Sequence, residues 1–207
     1  MQITEILDNN KNKYLRNVFL DNGTCLTLPV YLLQKRHMKQ GNQLEDEEIE
    51  QLKETIIRPK IRKKTLDYLS KRVYGIKELQ DKLTAFGFLE EDIIPVIEKY
   101  ISLGYLNDAD FACRYVHDAL ILKKMPQKRI RYDLLRKGVD ENLIEEAFFE
   151  FDGQEYENLV YLIEKKMRCA KDDSKETLQK IKMQFYRKGY PLREIEKAMQ
   201  AFLEKEF

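Results

Sequence analysis

The chain has 207 residues, of which 43% are hydrophobic and 35% are charged, with only eight glycines and five prolines. This composition favours a helix-rich globular protein over a disordered chain. The sequence has no run of about eighteen apolar residues, which excludes a transmembrane helix, and its first residues do not resemble a signal peptide. With three widely spaced cysteines, we expect a reduced, cytoplasmic protein.

The net charge of +1 conceals an uneven distribution of charge along the chain. Between positions 58 and 137, eighteen Lys and Arg stand against eleven Asp and Glu, a surplus of seven positive charges. A basic middle segment favours an acidic partner, either a protein or a nucleic acid. An ordinary solvated surface explains a surplus of this size equally well.

Residues 1–58 contain β-prone segments, unlike the rest of the chain, and are predicted to form an N-terminal extension. Residues 3–7, 14–20 and 24–28 are β-prone, and Asp21-Asn22-Gly23 is a hairpin signal between the last two. Residues 30–38 and 44–55 are predicted to be helices. Because so small a sheet is marginally stable alone, we expect it to pack on these helices or on the segment that follows.

The remainder contains one αα pattern three times, with a turn glycine at Gly87, Gly138 and Gly189 and an interval of 51 residues. Apolar residues recur eight and four positions before each glycine, and six and ten positions after it. These columns contain Leu79, Leu83, Ile93 and Ile97, then Ile130, Leu134, Ile144 and Phe148, then Ile181, Phe185, Ile195 and Met199. A fixed period of this length indicates stacked supersecondary units. We predict a mainly α fold of three tandem three-helix repeats, 59–106, 107–153 and 154–207, in an elongated curved array.

Several local expectations concern where the repeat helices begin and end. Arg58-Pro59-Lys60 reads as a break before helices at about 60–72, 76–86 and 90–102, with Leu66 and Leu69 facing inward. Pro95 predicts a kink or a late start in the third of these helices.

In the later repeats, Asn107 is predicted to cap a helix that stops before Pro126. Asp152 with Glu155 resembles a capping box, and Pro191 is well placed to start a helix.

Beyond about residue 60, the motifs resemble those of the RecX family, the bacterial regulatory proteins of the RecA recombinase. The N-terminal extension also looks like that of the Gram-positive branch of this family. The matching residues are Tyr68-Leu69-Ser70-Lys71-Arg72, Glu78-Leu79, Lys82-Leu83, Gly104-Tyr105-Leu106-Asn107-Asp108, Phe111-Ala112, Pro126, Arg129-Ile130, Leu135-Arg136-Lys137-Gly138-Val139 and Arg187-Lys188-Gly189-Tyr190.

The resemblance implies a regulator that lies in the groove of the RecA filament on single-stranded DNA. Such a protein restrains ATP hydrolysis, filament extension and strand exchange, within DNA repair, homologous recombination and the SOS response. The alternative is an autonomous DNA-binding helical-repeat protein that competes with RecA for DNA. We expect a monomer whose partners are the filament and, as further candidates, single- or double-stranded DNA.

Basic residues that alternate with an aromatic side chain mark the candidate binding surface. Arg129, Tyr132 and Arg136 share a helix face away from Ile130 and Leu134, a pattern suited to phosphates or an acidic groove. A solvated helix face is the competing interpretation. Flanking candidates are Lys123, Lys124, Lys128 and Lys137, and weaker ones are Lys71, Arg72, Lys180, Lys182, Arg187 and Lys188.

Catalytic and metal-binding patterns find little support. Cys113 and His117 are four residues apart, but a structural zinc site needs four ligands and nothing completes the set. The sequence carries no phosphate-binding glycine loop, no nucleophile elbow and no HExxH pattern. We therefore expect no enzymatic activity, no metal and no cofactor.

Overall fold

The computed structural model describes residues 1–10, 13–170 and 174–206 of the chain. The chain divides into two compact units. The first contains Met1–Arg72 and Leu79–Leu103, and the second contains Val73–Glu78 and Gly104–Phe207. Within the described residues, no helix has both the length and the apolar character needed to cross a membrane.

The first unit begins with a three-stranded antiparallel sheet formed by β1 (Ile3–Asp8), β2 (Leu15–Leu20) and β3 (Cys25–Pro29), in that order. Val18 pairs with Leu26 in the β2–β3 hairpin, whose turn follows Leu20. Side chains alternate across the strands, and Val18, Leu20, Leu26 and Leu28 are buried on one face. The predicted hairpin is confirmed.

Helices α1 (Val30–Lys35), α2 (Asp46–Leu52) and α3 (Arg58–Leu69) follow the sheet. A π-helical turn, Lys53–Ile57, joins α2 directly to α3, so the predicted break at Arg58-Pro59-Lys60 is wrong. Pro59 lies in the first turn of α3, after a π turn whose wider hydrogen-bonding pattern accommodates a residue without a backbone N–H.

The inward face of α3 also differs from the prediction. Ile61 and Thr65 are buried one helical turn apart, whereas Leu66 is 51% exposed and Leu69 is half-buried. Hydrophobicity alone predicts that Leu66 faces inward, but Thr65 occupies the buried position on α3.

Helices α4 (Ile76–Phe86) and α5 (Glu90–Ser102) have the predicted bounds. Pro95 lies inside α5, which begins at Glu90, so the helix does not start late, and the kink predicted as the alternative stays a prediction. Ile93, Val96 and Ile97 are buried on either side of the proline, and their packing offsets the backbone hydrogen bond that Pro95 does not make.

The second unit contains α6 (Asp108–His117), α7 (Gln127–Arg136), α8 (Glu141–Phe149), α9 (Gln154–Arg168), α10 (Lys175–Lys188) and α11 (Leu192–Glu206). A second π turn, Asp118–Leu122, extends α6. The Asn107 side chain caps α6 as predicted, accepting from the Ala109 N–H at 2.9 Å. The predicted capping box at Asp152 and Glu155 is wrong, because Gly153 occupies the N-cap of α9.

The repeat columns are confirmed by burial and by backbone geometry. All twelve apolar residues assigned to the columns are at most 8% exposed. Gly87, Gly138 and Gly189 have φ angles of 108°, 82° and 109°, a left-handed region that glycine adopts without a Cβ clash. The mainly α class with a small N-terminal sheet is confirmed, and the four segment boundaries stay a prediction.

Candidate functional site

Helix α7 presents opposite faces to the core and to solvent. Ile130 and Leu134 are fully buried in one apolar cluster with residues of α6 and α8. The remaining face carries Lys128, Arg129, Tyr132 and Arg136, all exposed, and these four residues are named here the α7 basic face. The sequence pattern therefore placed these side chains correctly on the outward side of the helix.

Arg129 lies at the centre of the α7 basic face and contacts two of its neighbours. Its Nε lies 3.2 Å from Oδ2 of Asp133, one helical turn away, and its guanidinium lies 5.7 Å from the centre of the Tyr132 ring. Tyr132 and the Arg129 side chain are each 55% exposed. Because the Asp133 side chain is only 15% exposed, Arg129 covers a half-buried carboxylate, while its own exposed guanidinium remains accessible to a second anion.

Arg131, on the same helix, contacts α8. It pairs with Glu145 of α8 and lies 5.6 Å from the ring centre of Phe148. The hydrogen bond to Glu145 raises the pKa of Arg131, and the same bond lowers the pKa of Glu145. Arg131 therefore belongs to the α7–α8 contact and not to the basic face.

Lys123, Lys128 and Arg136 keep their charges available to solvent. Each is exposed, and among the described residues none has a carboxylate oxygen within 4.0 Å. Lys128, Arg129 and Arg136 give the outward side of α7 a concentration of cations beside the exposed Tyr132 ring, which suits phosphate or carboxylate ligands.

Lys124 and Lys137 are half-buried and contact other parts of the second unit. Lys124 Nζ lies 3.2 Å from Oδ1 of Asn158, and Lys137 Nζ lies 2.5 Å from Oε1 of Glu78. Lys137 also lies 5.8 Å from the ring centre of Tyr115. Both lysines have structural roles, so their predicted contact with a partner stays a prediction.

The weaker candidates are distributed over both units. Lys71 and Arg72 are exposed in the first unit, just beyond α3. Arg187 and Lys188 are exposed at the C-terminal end of α10, where the helix dipole favours cations. Lys188 Nζ lies 5.1 Å from the ring centre of Phe185. Of the two further α10 lysines, Lys180 is exposed and Lys182 pairs with Glu196.

Carboxylates of neighbouring helices cap α4 and α7. Oδ1 of Asp108 accepts from the Ile76 N–H at 2.8 Å, and Oε1 of Glu155 accepts from the Gln127 N–H at 2.8 Å. Burial raises the pKa of both carboxyls. Local spacing could not predict these caps, because Asp108 is 32 residues from Ile76 and Glu155 is 28 residues from Gln127.

Cys113 and His117 lie one helical turn apart on α6. His117 Nδ1 lies 3.2 Å from Oδ1 of Asp118, and burial raises the pKa of the Cys113 thiol. Across the described part of the chain, no three His, Cys, Asp or Glu side chains converge as metal ligands.

Comparison with known proteins identifies the family. A family model for the second three-helix domain of RecX matches residues 107–147, and one for the third three-helix domain matches residues 153–199. A protein of Clostridioides difficile named Regulatory protein RecX is 30% identical over 91% of this chain and 89% of its own length. The chain belongs to the RecX family.

Other RecX proteins give the same result. A RecX of Clostridium botulinum is 31% identical over 91% of this chain and 90% of its own length, and one of Bacillus pumilus is 30% identical over 96% and 76%. The crystal structure of RecX from Lactobacillus salivarius has a TM-score of 0.62 and 31% identity, covering 70% of this chain and 96% of that one.

The α7 basic face lies within the segment that matches the second RecX domain. The similar proteins are regulatory proteins by name, which agrees with the prediction that this RecX-family chain is a regulator and not an enzyme. A further crystal structure of a RecX protein, at 22% identity and a TM-score of 0.63, supports the fold over 94% of the chain.

Proposed function

We propose that this RecX-family chain binds the RecA filament on single-stranded DNA and inhibits it, restraining ATP hydrolysis, filament extension and strand exchange. The observation that carries the proposal is the 30% identity to Regulatory protein RecX over 89% of that protein. The proposed setting is the bacterial cytoplasm, within DNA repair, homologous recombination and the SOS response, with a monomer as the acting species.

The α7 basic face is the proposed contact surface. Arg129 and Arg136 are both exposed, and a guanidinium can bind a carboxylate or a phosphate through two parallel hydrogen bonds. Tyr132 adds an aromatic surface with low conformational freedom, which is common at the centre of protein interfaces. These features suit an acidic protein groove that also contains DNA.

Competition for bare DNA is the second candidate function, because exposed cations also bind phosphates without any protein partner. Salt dependence separates the two functions. Affinity for phosphates falls linearly with log salt concentration, with a slope of about −0.7 per contacted phosphate on single strands. A contact that also buries apolar surface of the filament is less sensitive to salt.

The test compares two ligands for the full chain, a labelled single strand and the same strand assembled into filaments of a cognate RecA. Binding is measured between about 50 and 200 mM salt, the range over which phosphate contacts weaken strongly. A filament regulator binds filaments more tightly than bare DNA and with the shallower slope. Equal affinities and equal slopes would favour the competitor.

A further inference from the structure

A groove of about 1020 Å³ lies within the first unit and contains no residue of the α7 basic face. One wall is the solvent side of the sheet, with Asn9, Asn17 and Thr27, and the opposite wall is α3. Phe86, the last residue of α4, and Phe88, in the α4–α5 connection, lie at its edge. A concave site of this size matches or exceeds the range of ordinary ligand pockets, about 300–1,000 Å³.

The α3 wall carries three lysines, Lys60, Lys63 and Lys64, which repeat along one side of the helix. Among the described residues, none of them has a carboxylate within 4.0 Å. Partial burial lowers the pKa of Lys60, so its charge has lost part of its hydration.

Two aspartates also line the groove. Asp92 is 1% exposed and lies 3.7 Å from Lys53 Nζ, so only Asp67 opposes the lysines as an exposed carboxylate.

The aromatic edge is adjacent to these cations. Lys64 Nζ lies 4.3 Å from the ring centre of Phe86, which is 51% exposed, and the Phe86 and Phe88 rings are 5.4 Å apart. A phosphate bound by Lys64 would therefore hold its base within reach of Phe86. Bases stack on aromatic side chains with little regard to sequence.

The sheet wall supplies polar groups for base edges. Asn17 Oδ1 accepts from Asn9 Nδ2 and from Thr27 Oγ1, each at 3.1 Å. Its Nδ2 group donates to no acceptor among the described residues. An amide held in this way presents donors to a ligand in the groove.

We propose that this groove binds a segment of single-stranded nucleic acid, with phosphates on the α3 lysines, a base on Phe86 and base edges toward Asn17. The three kinds of group in the groove match the phosphates, the base faces and the base edges of a nucleotide strand, whereas a peptide of Asp and Glu would offer Phe86 no aromatic ring to stack on. Cations one helical turn apart, about 5.4 Å, match a row of successive phosphates better than they match a single phosphate. The site is independent of RecA and of the α7 basic face.

The test measures binding of the full chain to a labelled 20-nucleotide oligothymidylate by fluorescence anisotropy, without RecA. The variant Lys60→Ala/Lys63→Ala/Lys64→Ala should weaken binding at least tenfold at low salt and reduce the log–log salt slope by about 2. The matched control is Lys165→Ala/Lys166→Ala/Lys175→Ala, which removes three exposed lysines of α9 and α10. Equal losses in the two triple variants, or no loss in the groove variant, would overturn the proposal.

A second pair of variants tests the aromatic edge without changing charge. Phe86→Leu should weaken binding about tenfold, and Phe149→Leu, at a ring that is 86% exposed in α8, should not. Thermal unfolding confirms that each variant is folded. Two further results would overturn the proposal. The first is displacement of the oligonucleotide by polyglutamate as effectively as by unlabelled DNA. The second is displacement by thymidine monophosphate at equal concentration.

Discussion

Oε1 of Glu155 accepts a hydrogen bond from the backbone N–H of Gln127 at 2.8 Å, so a carboxylate of α9 caps the N-terminus of α7. Asp108 of α6 does the same for Ile76 at the start of α4. Each cap therefore joins two helices that are distant in the sequence. The helix that carries the α7 basic face is fixed in this way by α9.

Truncation of this cap should destabilise the second unit. Glu155→Ala removes the acceptor of the Gln127 N–H, and loss of a capping side chain typically costs about 1 kcal/mol. Glu155→Gln keeps an oxygen acceptor and should retain most of that stability. Thermal unfolding of the two variants at pH 7 measures the difference, and equal melting temperatures would contradict a capping role.

The same residue predicts a pH dependence of stability. Burial, as the largest cause, raises the pKa of the Glu155 carboxyl, while the bond from Gln127 lowers it. Because the pKa is higher in the folded state, this contribution to stability is fully present below the unfolded pKa, near 4.3. It is lost as pH rises through the folded pKa. The stability of Glu155→Gln relative to the unmodified chain should therefore increase as pH rises through the folded pKa of Glu155. A pH-independent difference in melting temperature would contradict this prediction.

Gly138 should tolerate alanine less well than Gly153 does. Both have a left-handed φ, 82° and 79°, which costs an L-residue about 1 kcal/mol. A Cβ at Gly138 would lie 2.7 Å from Cβ of Lys77, whereas a Cβ at Gly153 would meet no atom within 4 Å. Overpacking adds about 1–3 kcal/mol. Urea unfolding should show the larger loss for Gly138→Ala, and equal losses would argue against the Lys77 contact.

The Tyr190 hydroxyl should lose its proton at a higher pH than an ordinary tyrosine does. Its hydroxyl donates to the Lys124 carbonyl at 2.6 Å, and burial, assisted by Glu155, raises its pKa to about 12. The stability that depends on the protonated hydroxyl is complete below pH 10 and is lost as pH rises toward 12. Ultraviolet titration should show a tyrosine with a pKa of about 12 that disappears in Tyr190→Phe. An unchanged titration curve in that variant would contradict the assignment.

The repeat columns and the hairpin could be predicted from sequence because their signals are local or periodic. Ile130 and Leu134 recur at a helical spacing, and Gly138 falls at a fixed interval from the other two turn glycines. The cap on α7 could not be found in this way, because Glu155 and Gln127 are 28 residues apart.

The continuous passage from α2 to α3 was missed because Pro59 ordinarily signals a break, and the π turn before it has no simple sequence signature. The α7 basic face was predictable from helical spacing, although its i,i+4 partner Asp133 was overlooked. The groove beside Lys60 was not predictable, since it requires the outer face of the sheet, α3 and the C-terminal end of α4 to meet in space.

Charge reversal tests the α7 basic face directly. Arg129→Glu/Arg136→Glu should weaken filament binding at least tenfold, since two exposed cations become anions at the proposed interface. The matched control, Lys165→Glu/Lys166→Glu, makes the same charge change on exposed positions of α9. Circular dichroism should show normal helicity in both variants. Unchanged filament binding in the first variant, or an equal loss in the control, would remove α7 from the interface.

The most direct test of the central claim is the ATPase activity of a cognate RecA on single-stranded DNA with the full chain titrated in. The affinity of the full chain for the same DNA, without RecA, is measured under the same conditions. The proposed function predicts half-maximal inhibition at concentrations well below the Kd for bare DNA. It also predicts that the Lys60→Ala/Lys63→Ala/Lys64→Ala variant still inhibits. Inhibition that begins only when the DNA is saturated, or no inhibition at any concentration, would contradict a filament-specific regulator.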